Sequence, residues 1–157
     1  MQFYKANEYQ PSCESLYRQY ETKIATLLPA ARIEHIGASS IPNVLSKGDL
    51  DILVGVNGDE LEKAVKLLST LGFNEKSDTL RTLELCMLES SSGEDVAFQV
   101  VANGSEFDLF VSFRDKLRGS PELVQQYNEL KKSCVGWSHE KYRQKKSVFI
   151  QRVLRQA

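Results

Sequence analysis

The chain is poor in the residue types that build metal clusters and disulfide frameworks. Its 157 residues include only 3 cysteines and 2 histidines. The cysteines stand far apart, and neither a Cys-x-x-Cys pair nor a Cys/His cluster occurs, which excludes a structural zinc site and a disulfide framework. We interpret them as free thiols of a reducing compartment: Cys13, Cys86 and Cys134.

An excess of one charge sign and long apolar runs are missing as well. The formal net charge is −1, so no global field favours nucleic acid or an anionic membrane as a partner. No apolar run approaches the ~20 residues of a membrane span. The N-terminal residues lack the basic and apolar regions of a signal peptide. We therefore predict a cytoplasmic protein with no membrane partner, folded as one domain over residues 1–157.

Hydrophobic periodicity predicts one helix and two strands at the start of the chain. Apolar residues at helical spacing predict a helix that Ser12 caps, that runs to Leu28 and that Pro29 stops. A short strand then ends at Gly37. A second strand covers residues 49–56, where a nearly continuous apolar run indicates that both faces of the strand are buried.

The middle of the chain predicts a second helix and three strands. Asn57 and Glu60 form a capping-box pattern at the start of this helix, and Gly72 suits the position after its end. Three strand-like segments follow, over residues 73–77, 80–90 and 95–101. Within the second segment, three apolar residues alternate with polar ones: Leu83, Leu85 and Met87.

The last third predicts three helices. One apolar helical face ends at Gly119, and Ser120 and Ser138 are suited to cap the two helices that follow. The residues of that face are Phe107, Phe110, Phe113 and Leu117. The order is therefore helix, two strands, helix, three strands and three helices. This order predicts an α/β (α+β) protein, with a sheet of about five strands, helices packed on it and a helical C-terminal segment.

Two aspartates, Asp49 and Asp51, stand one residue apart at the start of the apolar run. Residues two apart on a strand share a face, so the two Cα atoms are roughly 6.5 Å apart. Carboxylates at that distance repel each other, and a divalent cation removes the penalty. Mg²⁺ or Mn²⁺ suits carboxylates combined with substrate phosphates. The pair predicts a metal site; the alternative is that Asp49 ends a loop and Asp51 caps a turn.

A Gly-Ala-Ser-Ser turn precedes the aspartates, at residues 37–40. Its backbone N–H groups and hydroxyls are suited to bind a phosphate chain, and Lys47 adds a positive charge. His35 is interpreted either as a general base beside this turn or as a hydrogen-bonding residue that orders it. A phosphate turn with metal-binding carboxylates is typical of phosphoryl or nucleotidyl transfer.

Four sequence blocks resemble one known family. They read "IEHIGASSIP", "KGDLDILV", "FRDKLRGSPELVQQYNELK" and "YRQKKSVFI", and they lie in order between residues 33 and 150. The chain resembles the GrpB-like (UPF0157) family within the DNA polymerase β-like nucleotidyltransferase superfamily. The resemblance implies a mixed nucleotidyltransferase-like sheet, a nucleoside triphosphate and Mg²⁺ (or Mn²⁺) as ligands, and transfer of a nucleotidyl group to an unknown acceptor.

The resemblance also implies site residues. The triphosphate would contact the turn at Gly37, Ala38, Ser39 and Ser40, where Ala38 replaces the serine of the family's usual Gly-Ser pair. Asp49 and Asp51 would be catalytic as well as metal-binding. Two basic residues in matching blocks would turn toward the nucleotide: Arg114 and Lys146.

The third acidic residue that active members of the superfamily usually carry is not evident. The family commonly has a His-x-His pair where this chain has Ala97 and Gln99. Asp95, on the same strand face, and Glu84, on the neighbouring strand, are the two candidates for a third catalytic acid. The sequence therefore leaves two interpretations: an Mg²⁺-dependent nucleotidyltransferase, and a non-catalytic nucleotide-binding or interaction module of the same fold.

Overall fold

The chain folds around a five-stranded mixed sheet with the strand order β1-β2-β5-β4-β3. The computed structural model describes residues 2–156. Strands β2 and β5 are parallel, and every other neighbouring pair is antiparallel. The prediction of a mixed sheet of about five strands is confirmed. The strands are β1 (Arg32–Ile36), β2 (Leu50–Val56), β3 (Phe73–Glu75), β4 (Leu85–Ser90) and β5 (Val96–Ala102).

Five helices surround the sheet, and their order along the chain is the predicted one. Short 3₁₀ turns at Ala38–Ser40, Gly58–Glu60 and Glu106–Asp108 precede longer elements. Between residues 2 and 156, no helix combines the length and the apolar character that crossing a membrane requires. The helices are α1 (Ala6–Leu27), α2 (Leu61–Ser69), α3 (Leu109–Arg118), α4 (Pro121–Ser133) and α5 (His139–Arg155).

The two faces of the sheet are covered by different helices. On one face, α1 and α2 pack against Ile52 and Val54 of β2 and Phe98 of β5 in the largest apolar cluster. On the other face, Leu53 of β2 packs with Val111 of α3. Strand β2 is therefore buried on both sides, which explains its apolar run and makes a carboxylate on it unusual.

The predicted caps of the last two helices are confirmed. Ser120 Oγ accepts a hydrogen bond from the Leu123 backbone N–H at 3.2 Å. Ser138 Oγ accepts one from the Lys141 backbone N–H at 3.3 Å. Both caps satisfy N–H groups that have no partner within the helix, so these two boundaries follow from local sequence alone.

The first helix begins earlier than predicted. It starts at Ala6 instead of after Ser12, and it contains Pro11. Its start is stabilised by the Lys5 backbone N–H, which donates to Glu8 Oε1 at 2.8 Å. Tyr9 is buried in this first part, and its hydroxyl donates to the Val44 carbonyl at 2.7 Å. The helix therefore includes Pro11, which precedes the predicted start at Ser12, because this tertiary contact stabilises its first turns.

Two further local predictions were wrong. The side chain of Asn57 makes no capping hydrogen bond, because a 3₁₀ turn over Gly58–Glu60 comes before α2. Strand β4 begins at Leu85, and Leu83 is 82% exposed instead of alternating into the core. Within β4, Leu85 and Cys86 are both buried, since this part of the strand is covered on both faces.

Candidate functional site

A cavity of about 510 Å³ lies between the sheet and the C-terminal helices. Its wall on the sheet side includes Asp49, Asp51 and Asp95. Its other side is formed by residues of α3, α4 and α5: Phe110, Phe113, Tyr127, Lys131, Tyr142 and Lys146. This volume is within the range of small-molecule sites in proteins. We call it the aspartate cavity.

The pairing of β2 with β5 brings the three aspartates to one end of the sheet. The Leu50 N–H donates to the Asp95 carbonyl at 2.9 Å, so the residues just before the two strands lie side by side. Asp51 is paired with Ala97 on β5. The Asp49 carboxylate accepts a hydrogen bond from Ser46 Oγ at 3.1 Å, which holds it in place. Buried Ser46 is a supporting residue that the sequence did not single out.

The clustered charges shift the pKa values of two of these carboxyls. Burial, and secondly the Asp49 carboxylate, raises the pKa of Asp51 to about 7, while Lys146 acts in the opposite direction. Burial and the Asp49 carboxylate also raise the pKa of Asp95. The cavity therefore holds negative charge that is only partly compensated, and a bound cation would relieve it.

The donor set suits a particular kind of metal ion. Within residues 2–156, no three His, Cys, Asp or Glu side chains are close enough together to hold a metal by themselves. Asp49 and Asp51 offer two carboxylates on one wall of an open cavity. Mg²⁺ is usually bound in this way, by one or two carboxylates together with water and substrate phosphates. The residues thus fit a Mg²⁺ or Mn²⁺ ion that arrives with a phosphate ligand, and they do not fit a structural metal.

The turn after β1 lies directly against Asp51. Gly37 has φ 74° and ψ −175°, a conformation that is essentially restricted to glycine. A Cβ atom at this position would lie only 2.6 Å from Asp51 Oδ2. Gly37 and Ala38 both line the aspartate cavity. Glycine is therefore required here by two independent constraints, the backbone angle and the approach of the carboxylate.

The two serine hydroxyls of the turn are not brought to the aspartates. Ser40 Oγ donates to the Gly37 carbonyl at 2.6 Å, and Ser39 Oγ is 2.8 Å from His35 Nε2. Both serines line a separate outer cavity, together with Arg118. Burial lowers the pKa of His35 to about 4, so its ring is neutral near pH 7. In this arrangement His35 orders the turn through Ser39, which is one of the two roles considered for it.

Basic side chains line the aspartate cavity as well: Lys131, Arg143 and Lys146 on the helices, and Lys47 and Lys76 on the side of the sheet. Lys47 and Lys146 are among them, as the sequence predicted for a phosphate-binding site. Another of them, Lys131, is buried; its Nζ donates to the Leu45 carbonyl and lies 4.3 Å from the centre of the Tyr127 ring. Burial and the nearby Lys146 lower the pKa of Lys131 well below its usual value.

Two predicted site residues lie elsewhere. Arg114 is buried, but it donates to Glu34 Oε1 and to the His35 carbonyl, each at 3.0 Å, and so ties α3 to β1 outside the cavity. Glu84 is exposed and precedes β4, with its carbonyl accepting a hydrogen bond from the Ala102 N–H at the far end of β5. Since Ala97 pairs with Asp51 near the other end of β5, Glu84 is separated from the aspartates by most of the strand.

We expect Gly37→Ala to destabilise the protein by about 1–3 kcal/mol, because alanine is strained at this φ and ψ and its Cβ meets Asp51. Urea unfolding measures the loss. Gly93→Ala is the matched control, since Gly93 also has a positive φ of 90° but no atom within 4 Å of the added Cβ. In the Asp51→Ala background, Gly37→Ala should cost less. An equal cost in both backgrounds would show that contact with Asp51 is not the constraint.

The raised pKa of Asp51 predicts a pH-dependent stability. Between pH 4 and pH 7 the folded protein retains a proton on Asp51 that the unfolded chain has lost. This carboxyl therefore favours folding at low pH, and its contribution is lost as the pH rises to about 7. Relative to Asp51→Asn, we expect the unfolding free energy of the wild type to fall over this range, by at most about 1.4 kcal/mol per pH unit, and to level off above it. Urea titrations at constant ionic strength test this, and a pH-independent difference would contradict it.

Comparison with known proteins relates nearly the whole chain to one family. A family model described as "GrpB protein" matches residues 5–156. A UPF0157 protein from Vibrio cholerae is 82% identical over 157 residues, which cover 100% of this chain and 84% of that protein. The crystal structure of the conserved protein GrpB from Enterococcus faecalis has a TM-score of 0.81 at 22% identity, over 98% of this chain and 94% of that chain.

The fold is also similar to that of larger nucleotidyltransferases. Terminal uridylyl transferase 4 from Trypanosoma brucei, solved with bound UTP and UpU, matches with a TM-score of 0.53 at 19% identity. The match covers 81% of this chain and 45% of that chain. The fold is therefore nucleotidyltransferase-like.

Proposed function

The chain belongs to the GrpB protein family, and we propose that it binds a nucleoside triphosphate with Mg²⁺ in the aspartate cavity and transfers the nucleotidyl group to an acceptor hydroxyl. One observation carries this proposal. A single cavity joins the carboxylates of Asp49 and Asp51 to the backbone of the Gly37 turn and to Lys131 and Lys146. Such a combination neutralises and positions a phosphate chain, which is most of what phosphoryl and nucleotidyl transfer require.

Different residues of the cavity would bind the metal ion and the triphosphate. Asp49 and Asp51 would hold the Mg²⁺, which supplies charge neutralisation at the phosphates when it is bound. The lysines on α4 and α5 would contact the triphosphate from the opposite side. The backbone of Gly37 and Ala38 approaches closely because Gly37 has no side chain. The hydroxyls of Ser39 and Ser40 have no part in this proposal, since both are bonded within the turn and to His35.

The reaction step would be an in-line displacement. The acceptor hydroxyl oxygen forms a bond to the α-phosphorus, while the bond from the α-phosphorus to the oxygen that bridges to the β-phosphate breaks. Pyrophosphate leaves, and the hydroxyl proton passes to a carboxylate. Asp95 is the candidate for that proton, because it lies next to Asp49 on the cavity wall, and because burial and the Asp49 carboxylate raise its pKa, which makes it a stronger base.

A second candidate function is supported by Ala97. This residue pairs directly with Asp51 on the neighbouring strand and places a methyl group where a third carboxylate would face the pair. A protein that lacks this acid would bind the nucleotide without turning it over. The non-catalytic nucleotide-binding module therefore remains the alternative, and turnover distinguishes it from the enzyme.

We expect at least one nucleoside triphosphate to raise the melting temperature of the protein, and to do so only when Mg²⁺ or Mn²⁺ is also present. At ligand concentrations near 100 times the Kd, the stabilisation should be about 2.7 kcal/mol. Lys146→Met should weaken triphosphate binding by about tenfold, because it removes a charge from the cavity. Lys145→Met is the control, since this neighbouring lysine is exposed and lies beside Trp137. Equal affinity in Lys146→Met and wild type, or no stabilisation by any triphosphate, would contradict the proposed binding site.

A further inference from the structure

Ala97 lies at the centre of four hydrogen-bond-accepting side chains on the cavity wall. It pairs with Asp51 on β2 and with Glu89 on β4, and Asp95 and Gln99 lie two residues away on either side along the same chain. Residues paired across strands share a face with residues two apart along a strand. All five line the aspartate cavity. We call this arrangement the Ala97 cross.

Gln99 has an unpartnered oxygen. Its side chain is only 6% exposed, and its Oε1 atom is buried without a hydrogen-bond partner among the described residues. Its paired neighbours are Leu53 on β2 and Met87 on β4. Neither side chain carries an N–H or O–H group that could donate to the amide oxygen. Because a buried carbonyl without a donor is costly, Gln99 indicates a donor that arrives with a ligand.

The charges around the cross select a cation. Three of the four side chains around Ala97, which we call the arms of the cross, are carboxylic acids. The basic residues of α4 and α5, such as Lys131 and Lys146, line the other side of the cavity. Two other basic residues of the cavity act on these acids: Lys47 opposes the charge of Asp95, and Lys76, beside the edge strand, opposes that of Asp51 and of Asp95. Together they offset only part of the charge of Asp49, Asp51, Glu89 and Asp95. A ligand that brings further negative charge to the cross, such as a nucleic-acid backbone, would be repelled.

The spacing of the arms favours an organic cation over a metal ion. Neighbouring strands are about 4.8 Å apart and residues two apart on a strand about 6.6 Å. Consistent with this spacing, no three acidic or other metal-ligating side chains in residues 2–156 are grouped tightly enough to hold a metal. A primary ammonium group has three N–H donors and reaches farther than a bare ion. The methyl group of Ala97 leaves room for it at the centre.

We infer that the Ala97 cross is the subsite for the acceptor, and that the acceptor is a small hydroxyl-bearing molecule with a primary ammonium group. This inference rests on the proposed function, because the cross serves an acceptor only if the triphosphate occupies the side of the cavity that carries the lysines. The ammonium group donates to Glu89 and Gln99 and does not react. It positions a hydroxyl of the same molecule between Asp51, where the α-phosphorus would lie, and Asp95, which accepts the hydroxyl proton.

Matched pairs of small molecules test the inference. The amines ethanolamine, serinol and glucosamine are compared with ethylene glycol, glycerol and glucose, each of which carries a hydroxyl in place of the amino group. Protein-observed NMR titrations measure affinity with and without Mn²⁺ and a non-hydrolysable triphosphate analogue. We expect at least one amine to bind about tenfold more tightly than its neutral partner, because hydrogen bonds to charged groups are the stronger ones.

Variants locate the amine site. Glu89→Gln and Gln99→Met should each weaken binding of the amine by about tenfold and leave binding of the triphosphate unchanged. Glu60→Gln removes the same charge from the exposed turn before α2 and should change neither affinity. Equal amine affinity in wild type, Glu89→Gln and Gln99→Met would overturn the assignment to the cross.

The outcomes separate this inference from the proposed function. If the triphosphate binds and no amine binds more tightly than its neutral partner, the ammonium subsite is wrong and the proposed function stands. If an amine binds at the cross and no triphosphate binds, the proposed function fails, and with it the role of the cross as an acceptor subsite. If both bind and the amine does not become nucleotidylated with a natural triphosphate, the acceptor role is overturned.

Discussion

Replacing both Asp49 and Asp51 with asparagine abolishes Mn²⁺ binding and raises the stability of the metal-free protein. The two side chains line one wall of the cavity, and the Asp49 charge contributes to the raised pKa of Asp51. Asparagine keeps the shape of each side chain but removes its charge. At a separation of about 6.5 Å and an effective dielectric constant of about 20, the repulsion is roughly 2–3 kcal/mol. We therefore expect a gain of about 1–3 kcal/mol above pH 7, where the Asp51 carboxyl is ionised.

Calorimetry and urea unfolding measure the two parts of this prediction separately. Mn²⁺ is titrated in the presence of a non-hydrolysable triphosphate analogue, and unfolding is followed with a chelator present. The control variant, Asp59→Asn with Glu60→Gln, removes the same charge from an exposed turn and should bind Mn²⁺ normally. Wild-type Mn²⁺ affinity in the Asp49/Asp51 variant would place the metal elsewhere. A loss of stability would show that the carboxylates support the fold.

The second large effect is expected at Asp95. If the protein is an enzyme, Asp95→Asn should lower the rate of pyrophosphate release by about 10²–10⁴-fold. The affinity for triphosphate should change by less than about threefold, since the lost interaction belongs mainly to the transition state. The position of Asp95 supports this expectation, because Asp95 lies beside Asp49 on the cavity wall, where the reacting phosphate would be bound.

Glu84→Gln is the decisive comparison for Asp95. Both substitutions replace a carboxylate with an amide, and both acids were candidates for the third catalytic acid on sequence. Glu84, however, lies outside the cavity. The assay is pyrophosphate release from each of four nucleoside triphosphates with Mg²⁺ or Mn²⁺, with cell extract as the source of acceptors. Undiminished release in Asp95→Asn would remove Asp95 from the mechanism, and a loss in Glu84→Gln would contradict the geometry. No release by the wild type would favour the binding module.

Local sequence was sufficient for those elements whose boundaries depend on neighbouring residues. Ser120 and Ser138 cap their helices as predicted, because a side-chain oxygen needs only an N–H three residues away. The start of α1 was missed by several residues. Its first turn is stabilised by Tyr9, whose hydroxyl bonds to a carbonyl at residue 44, and periodicity within the helix contains no information about that contact.

The acidic part of the candidate site was predictable, and its basic part was less so. Asp49 and Asp51 were identified because two charges at the start of a buried strand need a reason. Lys131 was not among the predicted site residues, although it continues the buried face of α4 that includes Val124 and Tyr127. A lysine in an apolar helical stripe is the signal that could have identified it.

The direction in which each side chain points decided which of the remaining predicted site residues reach the cavity. Ser39, Ser40 and Arg114 come from sequence blocks that resemble the family, and each is buried. Their polar atoms nevertheless bond to His35, to the Gly37 carbonyl and to Glu34, away from the aspartates. A motif identifies which residues are close in sequence to a site, but the hydrogen-bond partners available in the folded protein determine where each side chain points.

The sequence by itself determined the order of the elements, a sheet of about five strands and the pair of aspartates at the start of β2, because these depend on periodicity and on spacing within one segment. Only the tertiary structure decided which residues share the cavity. The parallel pairing of β2 with β5 places Asp95 beside Asp49 and Ala97 beside Asp51, and the packing of α4 and α5 brings Lys131 and Lys146 opposite them. Strand register and helix packing depend on contacts between residues far apart in the chain, and no local pattern encodes them.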